Sequence, residues 1–220
     1  LKSLHRLIVT SHTYQQQSQP ADESLAKSSR DPRQLDANNL YLWRMNRRKL
    51  EDEAVRDAVL QVSGKLDLKM GGPSFQDFVI DQPAHSPHYE YHLHDPNDPR
   101  SHRRSVYSFL VRSQPQPWMT ALDCADPSMR VDKRNESLSA LQALALLNNG
   151  FMVTMSGPFA ERVAREATPP SEQAKVLYRL ALSRDPSASE QALLSEFIRS
   201  HGLANASRAT GVPGAVCCVN

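Results

Sequence analysis

Residues 134–153 read RNESLSALQALALLNNGFMV, and their spacing decides the fold class. Ser139 stands three positions before Gln142, the spacing at which a hydroxyl and an amide satisfy the first free N–H groups of a helix. Leu141, Leu144, Ala145 and Leu147 follow at intervals of three and four, which sets them on one side of a 3.6-residue repeat. The stretch predicts a helix, and two more of the same kind follow it. SEQAKVLYRLALSR, at 171–184, turns Val176, Leu177, Leu180 and Ala181 inward. ASEQALLSEFIRSHG, at 188–202, opens on a Ser187–Glu190 capping box and closes at Gly202. Between these segments Gly157-Pro158 predicts a break, with PFAERVAREA resuming the helix to about 167.

Working outward from there, NNLYLWRMNRRKLEDEAVRDAVLQVSGKLD predicts the longest helix, over about 39–62. Trp43, Leu50, Ala54 and Ala58 share one side of it, with Val55, Val59 and Val62 on the flank; Asp36 to Asn39 offer capping oxygens and Ser63-Gly64 a left-handed stop. Each residue of the basic run Arg47-Arg48-Lys49 has an acid four positions on (Glu51, Asp52, Glu53), so the spacing predicts intramolecular pairs rather than a polyanion site. The opening LKSLHRLIVTSHTY predicts a short amphipathic helix through Leu4, Leu7 and Ile8, followed by a loop over 15–37. RRSVYSFLVRS, at 103–113, is the best strand segment, with Phe75 to Ile80 as its partner. PQPWMTALDC predicts a helical turn around Trp118, Met119 and Leu122. The result is a mainly α, multi-helix domain over 1–202 with a small two-stranded β element and long Pro-rich loops, and a disordered or atypical tail over 203–220.

Composition narrows the function. The 26 basic and 24 acidic groups leave a net charge of +2, which creates no field for nucleic acid or an acidic membrane face. No apolar run is long enough to span a bilayer. The first residues lack an initiator Met and a signal-peptide pattern, so the chain reads as a piece of a larger protein. Of three cysteines, Cys124 is alone and Cys217 and Cys218 are adjacent; no Cys-x-x-Cys-His occurs, so no c-type haem is expected on this chain. A Gly-x-Ser-x-Gly elbow is also missing.

Five of eight histidines fall in HSPHYEYHLHDPNDPRSHRR, at 85–104. His88 and His92 are four apart with Glu90 between them, the arrangement that aims two imidazoles at one zinc ion when it sits on a helix. Pro87, Pro96 and Pro99 argue instead for an extended strip, on which His88, His92, His94 and Glu90 share a face at period two. They are the metal-ligand candidates, set against a plain polar connection. Asp95, Asn97 and Asp98 supply only three oxygen ligands and no EF-hand glycine or closing glutamate, and read as a turn. Trp118 and Tyr91 are the candidates for stacking on a sugar.

The segments HRLIVTSHTYQQQS, WRMNRRKLEDEAVRDAVLQVSGKLDLKMGG, DPRSHRRSVYSFLVRSQPQPWMTALDCADPS, KRNESLSALQALALLNNGFM and LYRLALSRDPSASE, in this order, resemble the C-terminal conserved domain of large planctomycete proteins, the family often called PSD. The resemblance covers roughly residues 1–200. It implies an exported, extracytoplasmic, multidomain parent whose upstream domains carry cytochrome-like c-type haem, with links to electron transfer or polysaccharide handling. It supplies no catalytic residues. The expectation is a non-catalytic structural or interaction domain whose partners are the upstream domains and a polysaccharide; the alternatives are a metal-dependent enzyme using the histidines and a carbohydrate-binding module.

Overall fold

Nine α-helices and one two-stranded antiparallel sheet lie among the described residues of the computed structural model, which are 1–18, 31–46, 48–82, 85–137 and 139–216, with side chains as far as 211. They fall into two units, residues 1–49 and residues 50–216. None of the described helices is long and apolar enough to cross a membrane.

In the first unit α1 (Lys2–Val9) forms as its spacing predicts, with Leu4, Leu7 and Ile8 exposed. A short α2 (Pro32–Leu35) is capped by the Asp31 carboxylate, which accepts from the Arg33 N–H. The long helix expected from 39 does not begin there, because side chains take the backbone groups it needs. The Asp36 carboxylate accepts from the N–H groups of Leu40 and Tyr41, both at 2.8 Å. Buried Asn39 donates to the Arg44 carbonyl at 2.7 Å and accepts from the Arg44 N–H. Asn39 and Leu42 both adopt the left-handed region, at φ 55° and 54°. Trp43 belongs to this turn, its indole N–H donating to the Asp36 carbonyl, and not to a helix face.

In the second unit α3 (Asp52–Ser63) starts after the basic run and stops at Gly64, whose φ of 73° is the left-handed stop expected. The helix that would have set the basic run four residues from these acids does not extend before Asp52. The carboxylates of Asp52 and Glu53 turn to Arg134 instead, and Arg47 lies outside the described residues. The buried face of α3 is Val55, Arg56 and Leu60, with Ala54 exposed.

Two apolar clusters form the core. One joins Val55 to Trp118 of α4 (Pro117–Ala121), Leu122, Leu146 of α5 (Ala140–Asn148) and Met152 of α6 (Gly150–Glu166). The other joins Phe159 and Val163 of α6 to Ala174 and Leu177 of α7 (Pro170–Leu182), Ile198 of α8 (Ala188–His201) and Ala206 of α9 (Leu203–Val216). Both capping boxes, Ser139 with Gln142 and Ser187 with Glu190, are made. On α5, however, Leu146 and Gln142 face inward while Leu141 and Leu144 are exposed.

Two further expectations change. Helix α6 runs through Gly157-Pro158 unbroken, because its faces on either side of the proline are anchored by Met152, Met155, Phe159 and Val163. Residues 203–216 form α9 where a disordered tail was expected, and 217–220 lie outside the described residues; small residues bring its backbone close, burying Ala206, Ser207 and Thr210.

The sheet pairs β1 (Val79–Asp81) with β2 (His88–Glu90), with Val79 opposite Glu90 and Asp81 opposite His88. The histidine strip thus supplies a strand itself. Residues 105–107 form a 3₁₀ turn, and the segment pairs with Phe75 at an isolated bridge to Ser108, where Phe75 donates to the Tyr107 carbonyl and accepts from the Phe109 N–H. The reason lies on α3: Asp57 accepts from both the N–H and hydroxyl of Ser105 at 2.7 Å, and Arg56 takes the carbonyls of Ser101 and Arg103. Groups that a ladder needs are already engaged.

Candidate functional site

Arg56 is a charge placed in an apolar setting, one turn ahead of Leu60 on the buried side of α3. Its guanidinium donates to the carbonyls of Ser101 and Arg103 and to the Ser105 hydroxyl. It also lies over two rings, 4.7 Å from the centre of Phe75 and 5.6 Å from that of Phe151. Burial lowers its hold on the proton, and the charges of Asp77 and Asp57 work against that. Burial likewise raises the Asp77 carboxyl above its ordinary range, with Arg56 the first of the neighbours that pull it back.

These two groups line a cleft of about 520 Å³ together with Tyr91, His92, His94, Gln116, Trp118 and Phe151. The Tyr91 hydroxyl donates to the Gln114 carbonyl at 2.8 Å, and burial pushes its phenol up to about 12. Trp118, only 5% exposed, packs its indole against Phe151 at 5.5 Å. Two buried ring nitrogens on the lining side chains, Trp118 Nε1 and His94 Nε2, have no hydrogen-bond partner. Neither atom has accessible surface, so each is an unsatisfied polar group packed behind the cleft wall rather than one open to the cleft.

The sequence candidates separate here. Tyr91, Trp118, His92 and His94 come together on the cleft, whereas His88 is exposed on β2. The strip is not extended throughout, since Tyr91–Leu93 is a 3₁₀ turn, and the period-two face ends at Glu90. Glu90 Oε2 lies 3.2 Å from His92 Nδ1, which makes a local pair. His88, His92, His94 and Glu90 are not among the side chains that the fold gathers at metal-binding distances. Among the described residues that grouping is Asp52, Glu53 and Cys124, with ligand atoms within 4.8 Å of one another. Asp95 accepts from the backbone and side chain of Asn97, and Asp98 from Arg100, as turn residues do.

A cation already sits at the Asp52 group. Arg134 donates to Asp52 at 2.8 Å and to both oxygens of Glu53. Arg134 holds Glu53 down at about 2, while burial and the Glu53 carboxylate raise Asp52 to about 6. Burial and Asp52 push the Cys124 thiol up to about 12, so it stays protonated and unreactive.

The two acids pull stability in opposite directions. Glu53, depressed in the fold, adds stability as pH rises from about 2 to its ordinary 4.5. Asp52, raised in the fold, removes stability as pH climbs from its ordinary 3.8 to about 6. The variant Asp52→Asn therefore gains on the wild type between pH 4 and pH 6.5 in urea denaturation. Parallel curves over that window contradict the assignment.

Sequence reasoning missed Arg56, Asp77 and Gln116. A signal existed for the first: Asp52, Arg56, Leu60 and Ser63, all buried, form one stripe at steps of four, four and three. Three of the four are polar, so apolar periodicity passes over it.

The PSD1 family model, described as a protein of unknown function (DUF1553), matches residues 1–198. No curated protein and no solved structure matches the chain.

Proposed function

The chain belongs to the PSD1 family of proteins of unknown function, and from that premise we propose a non-catalytic binding domain that receives its ligand in the cleft between Arg56 and Asp77. The observation that carries this is the hollow itself. At about 520 Å³ it has the size of a small-molecule site, roughly 300–1,000 Å³, and it is lined by Arg56, Asp77, Gln116, Tyr91 and Phe151. General acid–base and nucleophilic chemistry favour groups that titrate near the working pH. In the cleft the Tyr91 phenol is held near 12 and the Arg56 guanidinium is engaged by carbonyls and a hydroxyl, which supports holding over reacting. The same proposal sets the domain in an exported, extracytoplasmic multidomain protein linked to electron transfer through upstream c-type haem domains. Its support is the resemblance of five segments in one order.

Gly150 offers the test. It lines the cleft at the start of α6, and a Cβ there meets nothing within 4 Å, so Gly150→Phe fills the hollow without a clash at its root. Ligand-observed NMR of wild type and variant against a fragment library with neutral, acidic and basic members is expected to yield binders that the variant loses. A library with no such binder overturns the proposal.

A further inference from the structure

Arg134 brings one positive charge to three carboxylates: its Nη1 lies 2.8 Å from Asp52, 3.9 Å from Glu51 and beside Glu53. The Cys124 sulfur shares the spot, and we infer that Asp52, Glu53 and Cys124 form a site for a divalent cation of zinc's kind, with the Arg134 guanidinium as its stand-in. The donor set is the first reason. Carboxylate oxygen and thiolate sulfur together suit a borderline-soft ion, whereas calcium and magnesium take oxygen alone.

Geometry is the second. The three ligand atoms lie within 4.8 Å of one another, and the edge of a tetrahedron around zinc is about 3.5 Å, so side-chain shifts of about an ångström close the set. The backbone holds all three in place. Asp52 and Glu53 open α3, and Asp123, in the left-handed region at φ 71°, turns the chain so that the Cys124 N–H donates to the Met119 carbonyl at 3.1 Å. A separate observation concerns Asp52. Its side chain is 1% exposed, and while Oδ1 accepts from Arg134, Oδ2 is buried with no hydrogen-bond partner. A buried carboxylate oxygen without a partner is unfavourable, and a metal ion supplies one. Access comes with the departure of Arg134, which is 32% exposed and lies between α4 and α5 in a segment without helix or strand. Its guanidinium turns to solvent, the ion takes its place, and the Cys124 thiol gives its proton to water as the sulfur–metal bond forms.

The test uses the chain carrying Cys217→Ser and Cys218→Ser, in which Cys124 is the only thiol. Zinc and magnesium binding are followed by calorimetry, and cobalt binding by the thiolate-to-cobalt charge-transfer band, which imidazole and carboxylate ligands do not give. One zinc per chain and the cobalt band are expected, with no uptake of magnesium. Cys124→Ser is expected to lose the band and at least ~tenfold in zinc affinity while its metal-free melting temperature stays that of the parent. Arg134→Gln, which removes the competing cation, is expected to tighten zinc by at least ~tenfold. Zinc that binds Cys124→Ser as tightly as the parent belongs to the histidines and overturns the assignment. So does absence of the cobalt band from the parent and from Arg134→Gln alike; should Arg134→Gln fail to fold, the band in the parent alone decides.

Discussion

Arg56→Met is expected to lower stability by about 3–5 kcal/mol at neutral pH, the loss that follows when one partner of a buried ionic group is removed. Methionine keeps the length and the apolar stem, so the contacts with Phe75 and Phe151 partly survive. What disappears is the donor to the carbonyls of Ser101 and Arg103 and to the Ser105 hydroxyl, and with it the positive charge that faces Asp57 and Asp77. Adding Asp77→Asn to Arg56→Met is expected to return part of the loss, because the half-buried carboxylate that lost its opposite charge is then replaced by a neutral amide. Urea denaturation of the three variants measures both effects. A loss below about 1 kcal/mol for Arg56→Met contradicts the position of this residue as the join between α3 and the 101–105 segment.

The second large effect is expected at Leu177, which is 0% exposed at the centre of the second cluster. Leu177→Ala is expected to cost about 2–5 kcal/mol, the transfer free energy of the lost methyls plus a term for the cavity they leave. The void does not close readily, since two of its neighbours in the cluster, Ala174 and Ala206, have no length to extend into it. Leu193 on α8 is the control: it is exposed, and Leu193→Ala changes stability by no more than about 0.5 kcal/mol. Ligand binding at the cleft is unchanged in both, because neither residue lines it. Equal losses at the two positions contradict the packing described.

How far these elements were legible depends on which groups hold them. Where local chemistry acts alone, the sequence is explicit: the Ser139 and Ser187 boxes, the Gly64 stop and the proline-started turn at Trp118 all lie where spacing puts them. Where side chains compete with the backbone, it misleads. Asp36 and Asn39, read as caps, hold a turn that delays the helix to Asp52, and Asp57 with Arg56 converts the expected strand at 103–113 into a turn. The contacts of Arg56 and Asp57 join residues more than forty positions apart, and no window of periodicity sees them. Of the site, Tyr91, His94 and Trp118 were within reach as chemically distinctive residues. Arg56 was hidden by a polar stripe on α3, and Asp77, in a run read as strand, becomes visible only once α3 is packed beside it.

Pro158 has a mechanical consequence. A proline ring has no N–H for the carbonyl four residues earlier, so the rung at Thr154 is missing from the middle of α6. Thr154 itself forms part of the cleft wall. One rod thus carries Met152 into the first cluster and Phe159 and Val163 into the second, and its weakest point lies between them. The cleft wall and the second cluster are therefore linked through the one stretch of α6 that lacks a full set of backbone hydrogen bonds.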